Sequence, residues 1–180
     1  MTRRPRAIGH VGLIARDLER FVEFYERVLG FRVSDWMTFP PESPFEKGVW
    51  MRCNSEHHVI SVFRPKQDPP AVPSTARSAT PGLHHMGFEM SSLEDLLSAV
   101  RYAREQGLEI QGMRTGGPGM QLRLYIWDPE DNIVELFWGM DRVGSDGATR
   151  PYEPVTNIDL EQFDIDAWLQ MKGIEFTAPA

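Results

Sequence analysis

The five histidines of the chain fall in three places: His10, the doublet His57-His58 and the doublet His84-His85. Each place lies in a stretch that alternates apolar with small or polar residues, as a strand does, and a lone carboxylate, Glu135, sits in another such stretch. Imidazoles gathered on a β scaffold with one carboxylate are the donors of a metal centre. Two imidazoles and one carboxylate on one side of an ion leave open positions opposite, the arrangement suited to non-haem Fe(II) oxygen chemistry. Taken singly, each histidine reads as a half-buried side chain capped by a backbone carbonyl. Three coincident placements within a repeat favour the metal.

The repeat is visible when HVGLIARDLERF, from His10, is set above HMGFEMSSLEDL, from His85. At an offset of 75 residues His10 meets His85, Gly12 meets Gly87, Leu18 meets Leu93 and Glu19 meets Glu94. Each copy opens with a short strand and continues into a helix. The first helix is capped by Asp17, shows Leu18, Phe21, Val22, Tyr25, Val28 and Leu29 at helical spacing, and stops at Gly30. The second is capped by Ser91 or Ser92 and carries Leu93, Leu96, Leu97, Val100 and Ala103 up to Gly107.

Three strand candidates follow each helix: FRVSDWMTF, KGVWMRCN and HHVISVF, then LEIQGMR, MQLRLYIW and NIVELFW. The predicted fold is α+β, two tandem βαβββ modules forming a cupped mixed sheet around a metal site. The boundaries within a single domain, 1–180, are a first module at 7–63, a linker at 64–82, a second module at 83–140 and a tail at 141–180. The linker holds five prolines. The tail ends in IDLEQFDIDAWLQMKG, predicted as a helix packed on the outside.

Neighbouring side chains on a strand point to opposite faces, and this parity separates the members of each doublet. Val11, Leu13 and Ala15 suit the helix-covered side, leaving His10 and Gly12 opposite. Met86, Phe88 and Met90 do the same, leaving His85, Gly87 and Glu89. On the last strand Val134, Leu136 and Trp138 face the helix, leaving Glu135 and Phe137. Parity leaves HHVISVF with two assignments, one of which places His58, Ile60 and Val62 inside. Glu135 lies 50 residues after His85, and Ile60 lies 50 residues after His10, so the carboxylate occurs in one copy only. His84 is a bystander on this reading, while parity alone does not choose between His57 and His58.

Composition narrows the setting. A net charge of −7 argues against a nucleic-acid or anionic-membrane partner. No apolar run approaches the roughly 20 residues of a membrane span, and the N-terminus has no signal-peptide core, so a cytoplasmic location is expected. The one cysteine, Cys53, excludes an intrachain disulfide and reads as a small apolar filler. The glycine-rich GGPG at 116–119 lacks a following Lys-Ser/Thr and opens no helix, so it reads as a flexible pocket rim rather than a phosphate loop. Exposed sheet edges make a homodimer an option.

Over roughly residues 7–140 the chain resembles the vicinal oxygen chelate superfamily (the glyoxalase/bleomycin resistance/dioxygenase fold), and within it the type I extradiol ring-cleaving dioxygenases. The segments that carry the likeness are MRCNSEHHVISVF (51–63), GLHHMGFEMSSLEDL (82–96) and YIWDPEDNIVELF (125–137). The resemblance implies His10, His85 and Glu135 as ligands of Fe(II), with Mn(II) as the alternative ahead of Zn(II) or Ni(II). It implies His58 as the acid/base beside bound oxygen, which leaves His57 a bystander, and Tyr125 as a hydrogen-bond partner of a substrate oxygen. The implied substrates are a catechol-type aromatic diol and dioxygen.

Two positions depart from the pattern. Many relatives carry a histidine about nine residues before the tyrosine, where this chain has Gly116; Gln121, Arg114 or Arg123 could supply the missing polar group. The turn reads DPED where DPDG is usual, and Asp131 can take the left-handed conformation. Two other functions share the scaffold: a glyoxalase-like isomerase or thiol transferase such as a fosfomycin-resistance protein, and a metal-free small-molecule (drug) binding protein. The first needs a carboxylate from both modules. Aromatic pocket walls are offered by Trp36, Phe39, Phe45, Trp50, Phe137 and Trp138, each equally suited to core packing.

Overall fold

A computed structural model describes residues 7–70, 73–145, 147–149 and 151–162. The first module runs β1 (Val11–Ile14), α1 (Leu18–Leu29), β2 (Arg32–Thr38), β3 (Phe45–Arg52) and β4 (Ile60–Pro65). A single helical turn, α2 (Thr75–Ser78), precedes the second module: β5 (His85–Glu89), α3 (Leu93–Glu105), β6 (Ile110–Thr115), β7 (Leu122–Trp127) and β8 (Ile133–Trp138). A short ninth strand, β9 (Thr156–Ile158), follows. The four-stranded sheet has the order β1-β4-β3-β2, and the five-stranded sheet β5-β8-β7-β6-β9. In each the outer pair, β1 with β4 and β5 with β8, is parallel and the module's other pairs are antiparallel. The α+β tandem βαβββ architecture is therefore present, as two mixed sheets that do not close into one.

The helices form where their caps and stripes predict. Asp17 accepts the Arg20 backbone N–H at 2.9 Å, and Gly30 ends α1 in the left-handed region at φ 68°. Ser92 caps α3 by accepting from Asp95. Leu18, Phe21, Val22, Phe24 and Tyr25 of α1 and Leu93, Leu96, Ala99, Val100 and Ala103 of α3 are buried. They share one hydrophobic core with Val49, Met51, Ile60 and Val62 of the first sheet and Leu124, Val134 and Leu136 of the second.

Polar contacts also join the modules. The fully buried Tyr25 donates its hydroxyl to Asp128 Oδ2 at 3.1 Å, and Asp128 in turn accepts from Glu130 and Asn132 backbone N–H groups and from Asn132 Nδ2. Glu130 accepts the backbone N–H groups of Arg16 and Asp17 at the start of α1 and pairs with the Arg16 guanidinium at 3.1 Å. The DPED turn before β8 thus fastens the second module to the first. Asp131 sits there at φ 62°, as the turn requires.

Two expectations are corrected. The strand predicted over HHVISVF begins only at Ile60, so His57 and His58 stand in the loop that enters it. Within the linker, α2 presents Arg77 to Glu109 and Asp131 and lays its guanidinium 3.8 Å over the Trp127 ring, tying the connection to the second module. Ile158, predicted at the start of a tail helix, lies in β9 opposite Met113. The rest of that predicted helix, from residue 163, lies outside the described residues.

Candidate metal centre

The register of the second sheet decides which side chains share its helix-free face. Gly87 pairs with Glu135, Glu135 with Tyr125, Tyr125 with Gly112, and Arg123 with Phe137 and Arg114. Side chains directly opposite on paired strands project to the same face, so His85, Glu135, Tyr125, Arg123 and Arg114 crowd one surface while Val134 and Leu136 enter the core. His85, at the start of β5, places Nε2 2.9 Å from Glu135 Oε2. Glu135 is only 4% exposed. Gly87 is the ladder partner of Glu135 and carries no side chain; a Cβ there would stand 4.0 Å from the Glu135 carboxyl carbon.

A buried carboxylate facing one imidazole fits a divalent cation by donor chemistry. His85 Nε2 and Glu135 Oε2 meet directly as an ion-pair contact, so both donors turn toward one point. The third expected donor is elsewhere. His10 precedes β1, the edge strand of the other sheet, and its ring lies 4.7 Å from that of His58. Among the described residues no three His, Cys, Asp or Glu side chains are gathered to hold a metal. The structure therefore assembles two pairs, His85 with Glu135 and His10 with His58, and does not merge them.

Tyr125 adjoins the first pair, with its ring 5.9 Å from that of His85. Burial, then the Glu135 carboxylate, raises its pKa against the opposing pull of Arg123, so the hydroxyl keeps its proton. Partial burial and the neighbouring imidazoles of His10 and His57 lower the pKa of His58, favouring its neutral form. Cys53 is exposed just past the end of β3 and is not the apolar filler expected, yet partial burial of its thiol pushes the pKa up, away from a reactive thiolate.

The doublets hold contacts that parity alone did not reveal. His84 Nδ1 lies 2.8 Å from His85 Nδ1, and His57 Nδ1 lies 3.0 Å from His58 Nδ1. His57 Nε2 also meets Asp35 Oδ2 at 2.8 Å. Asp35 escaped the sequence reading, though a slip in the alternation of FRVSDWMTF between Val33 and Trp36 marks an extra residue there.

Register also moves the first module's counterpart of Glu135. Gly12 pairs with Ser61, as Gly87 pairs with Glu135, and Ile60 is a buried core residue. The position matched in sequence to Ile60 is thus held by Ser61, because the second copy is one residue out of step by the last strand. The carboxylate is still confined to one copy.

Gly116 explains its own departure from the family pattern. Its φ is 77°, and a Cβ there would meet the Pro154 carbonyl oxygen at 2.4 Å. Gly117 N–H donates to the Glu153 carbonyl at 2.8 Å. Chain from the tail lies against the place where a histidine side chain would start, and it braces the GGPG rim. Of the proposed substitutes, Arg123 donates to the Gly116 and Gln121 carbonyls, and Arg114 lies 5.0 Å over the Tyr125 ring. Gln121 directs Nε2 towards Glu135 Oε1 at 3.5 Å, and its buried Oε1 has no hydrogen-bond partner among the described residues.

On the first sheet Phe39, Phe45, Trp50 and Phe63 form a ring cluster, with centroids 5.3 to 6.0 Å apart. Gly48 leaves room for it, since a Cβ there would lie 3.1 Å from Phe39 and Trp50. Trp36 is instead 48% exposed, and Trp138 packs against the core.

Residues 7–136 match the family model of the Glyoxalase/Bleomycin resistance protein/Dioxygenase superfamily. An iron-dependent extradiol dioxygenase of Rhodococcus jostii is 33% identical over 76% of this chain and 51% of its own length. A manganese-dependent 2,3-dihydroxybiphenyl 1,2-dioxygenase of Geobacillus genomosp. 3 is 27% identical over 75% of this chain and 40% of its own. The chain spans about half the length of these curated relatives. Among solved structures, a glyoxylase/bleomycin resistance protein/dioxygenase domain from Frankia sp. superposes at TM-score 0.62 with 18% identity, over 76% of this chain and 99% of that one. The fosfomycin resistance protein FosX of Listeria monocytogenes does so at 0.55 with 16% identity, over 76% and 96%. With two βαβββ modules in place and the family model spanning both, this chain belongs to the Glyoxalase/Bleomycin resistance protein/Dioxygenase superfamily.

Proposed function

We propose that the chain is an Fe(II)-dependent extradiol dioxygenase that cleaves the ring of a catechol-type substrate with dioxygen, with Mn(II) as the alternative metal. The observation that carries this reading is the buried Glu135 carboxylate 2.9 Å from His85 on the helix-free face of the second sheet. His10, His85 and Glu135 would hold the ion. His10 and His85 stand at the starts of the two edge strands β1 and β5, so a shared site requires those edges to approach. A bound ion would supply the Lewis acidity that makes a catechol hydroxyl acidic and a path by which the substrate's own electrons reach dioxygen.

The protein's own groups do the rest. His58, with its lowered pKa, accepts a phenolic proton near neutral pH and returns it later in turnover. Tyr125, kept protonated, donates a hydrogen bond to a substrate oxygen. The aromatic cluster around Phe63 offers an apolar wall to the ring and excludes water. The test is anaerobic Fe(II) loading followed by a catechol panel with dioxygen uptake and ring-opened product measured. His58→Phe is expected to keep iron and lose turnover, and iron-loaded wild type inert to the whole panel would overturn the reading.

A second reading, a metal-free small-molecule binder, draws on the separation of His10 from His85 and Glu135. Protein unable to take up Fe(II) or Mn(II) would favour it. The glyoxalase-like alternative has less support, because Ser61 stands where that centre needs its second carboxylate.

A further inference from the structure

We propose that Asp35 and His57 form a two-bond strut that fixes the His58 imidazole in its Nδ1–H tautomer, leaving Nε2 as the basic nitrogen. Its consequence for turnover rests on the reading of His58 as proton carrier; the strut itself belongs to the metal-free protein.

The strut starts from a β-bulge. Val33 pairs with Met51 and Asp35 with Trp50, so Ser34 is an extra residue in β2. Met51 is in the core, whereas the Trp50 ring packs edge-on against Phe63 at 5.8 Å. Phe63 also lies beside Gly12 on the helix-free face. Val33 and Asp35 therefore point to opposite faces although they are two residues apart, which regular alternation forbids. Without the bulge Asp35 would turn toward the core. Ser34 Oγ donates to the His57 carbonyl and accepts from Arg52 Nη1 at 3.0 Å, and Arg52 Nη1 also donates to the Val33 carbonyl. The loop that carries His57 is thus tied to the bulge that aims Asp35.

Hydrogen accounting then sets the tautomer. A carboxylate can only accept, so the 2.8 Å contact with Asp35 places the His57 proton on Nε2. At a pH above the imidazole range His57 carries a single N–H, already given to Asp35, so its Nδ1 accepts. The hydrogen in the 3.0 Å Nδ1–Nδ1 contact therefore belongs to His58. Nε2 of His58 is left with its lone pair. A base in the opposite tautomer would present an N–H where a lone pair is needed, which makes Asp35 and His57 positioning residues.

The test is a 1H–15N correlation of the imidazole nitrogens in metal-free protein, at a pH above the imidazole range. Asp35 and His57 are 64% and 60% exposed, so their variants keep the fold. Wild-type His58 is expected as Nδ1–H. His57→Phe and Asp35→Ala lose that preference, and His57→Gln, whose carbonyl oxygen can accept from His58, retains it. In iron-loaded protein His57→Phe lowers kcat about tenfold to a hundredfold with KM unchanged, and His57→Gln recovers most of the loss. A wild-type His58 in the Nε2–H form, or an Nδ1–H form that survives both disrupting variants, overturns the strut. If the tautomers behave as stated but no catechol is cleaved, the strut stands and the proposed function falls. If catechol is cleaved while the tautomers ignore the variants, the reverse holds.

Discussion

Gly87 lies directly beside Glu135 in the parallel β5–β8 ladder, and a Cβ there would come within 4.0 Å of the carboxyl carbon that faces His85. A methyl group at this position makes ordinary contacts with Phe137 at 3.4 Å and with Glu135 at 4.0 Å, whereas a longer side chain crowds that carboxyl group. Gly87→Leu is therefore expected to weaken Fe(II) or Mn(II) binding by about tenfold to a hundredfold, with Gly87→Ala close to wild type. Calorimetric metal titration of the two variants checks this, and equal affinities would remove Gly87 from the account.

The Tyr25–Asp128 bond predicts a stability change away from the site. Tyr25→Phe deletes one of the four hydrogen bonds that the Asp128 carboxylate accepts while preserving the packing of the ring against Phe21 and Phe31. A loss of about 1 kcal/mol follows, or a melting temperature lowered by about 2–4 °C. Asp128→Ala costs more, since it frees the whole turn that bonds to Arg16 and Asp17. Thermal unfolding of both variants orders them.

Restoring the histidine that many relatives carry is expected to fail. Gly116→His places a side chain at φ 77° against the Pro154 carbonyl oxygen. Left-handed strain and overpacking together cost about 2–4 kcal/mol. Chemical denaturation measures it. A Gly116→His protein as stable as wild type would mean that the tail segment does not hold this place.

The lowered pKa of His58 carries a pH signature. The unfolded chain binds a proton at this imidazole more readily than the folded chain does, so folding expels it. The associated stability is fully present above the ordinary imidazole value and is lost as pH falls through the lowered folded value. His58→Gln is expected to flatten that part of the acid side of the stability curve. A pH series of melting temperatures in metal-free protein tests it.

Much of this arrangement was legible in the sequence because it depends on local rules. Asp17, Ser92 and Gly30 act as caps whatever surrounds them, and alternation correctly placed Glu135 opposite Val134 and Leu136. The misses depend on pairing partners. A one-residue slip between the copies put Ile60 in register with Glu135 until Gly12 was seen to pair with Ser61. The bulge at Ser34 reversed the direction of Asp35, and β9 is a three-residue strand defined only by its ladder with β6. His57 looked like a bystander because its two ring contacts, Asp35 and His58, come from different segments of the chain.

The central claim is one divalent metal site shared by both modules, and an anaerobic Fe(II) titration of wild type beside His10→Ala and Glu135→Ala tests it most directly. The account predicts one equivalent bound tightly by wild type and a loss of at least about tenfold in affinity in each variant. It also predicts that iron at a hundred times its Kd raises wild-type stability by about 2.7 kcal/mol. Fe(II) bound as tightly by His10→Ala as by wild type would contradict it, because the site would then belong to the second module alone.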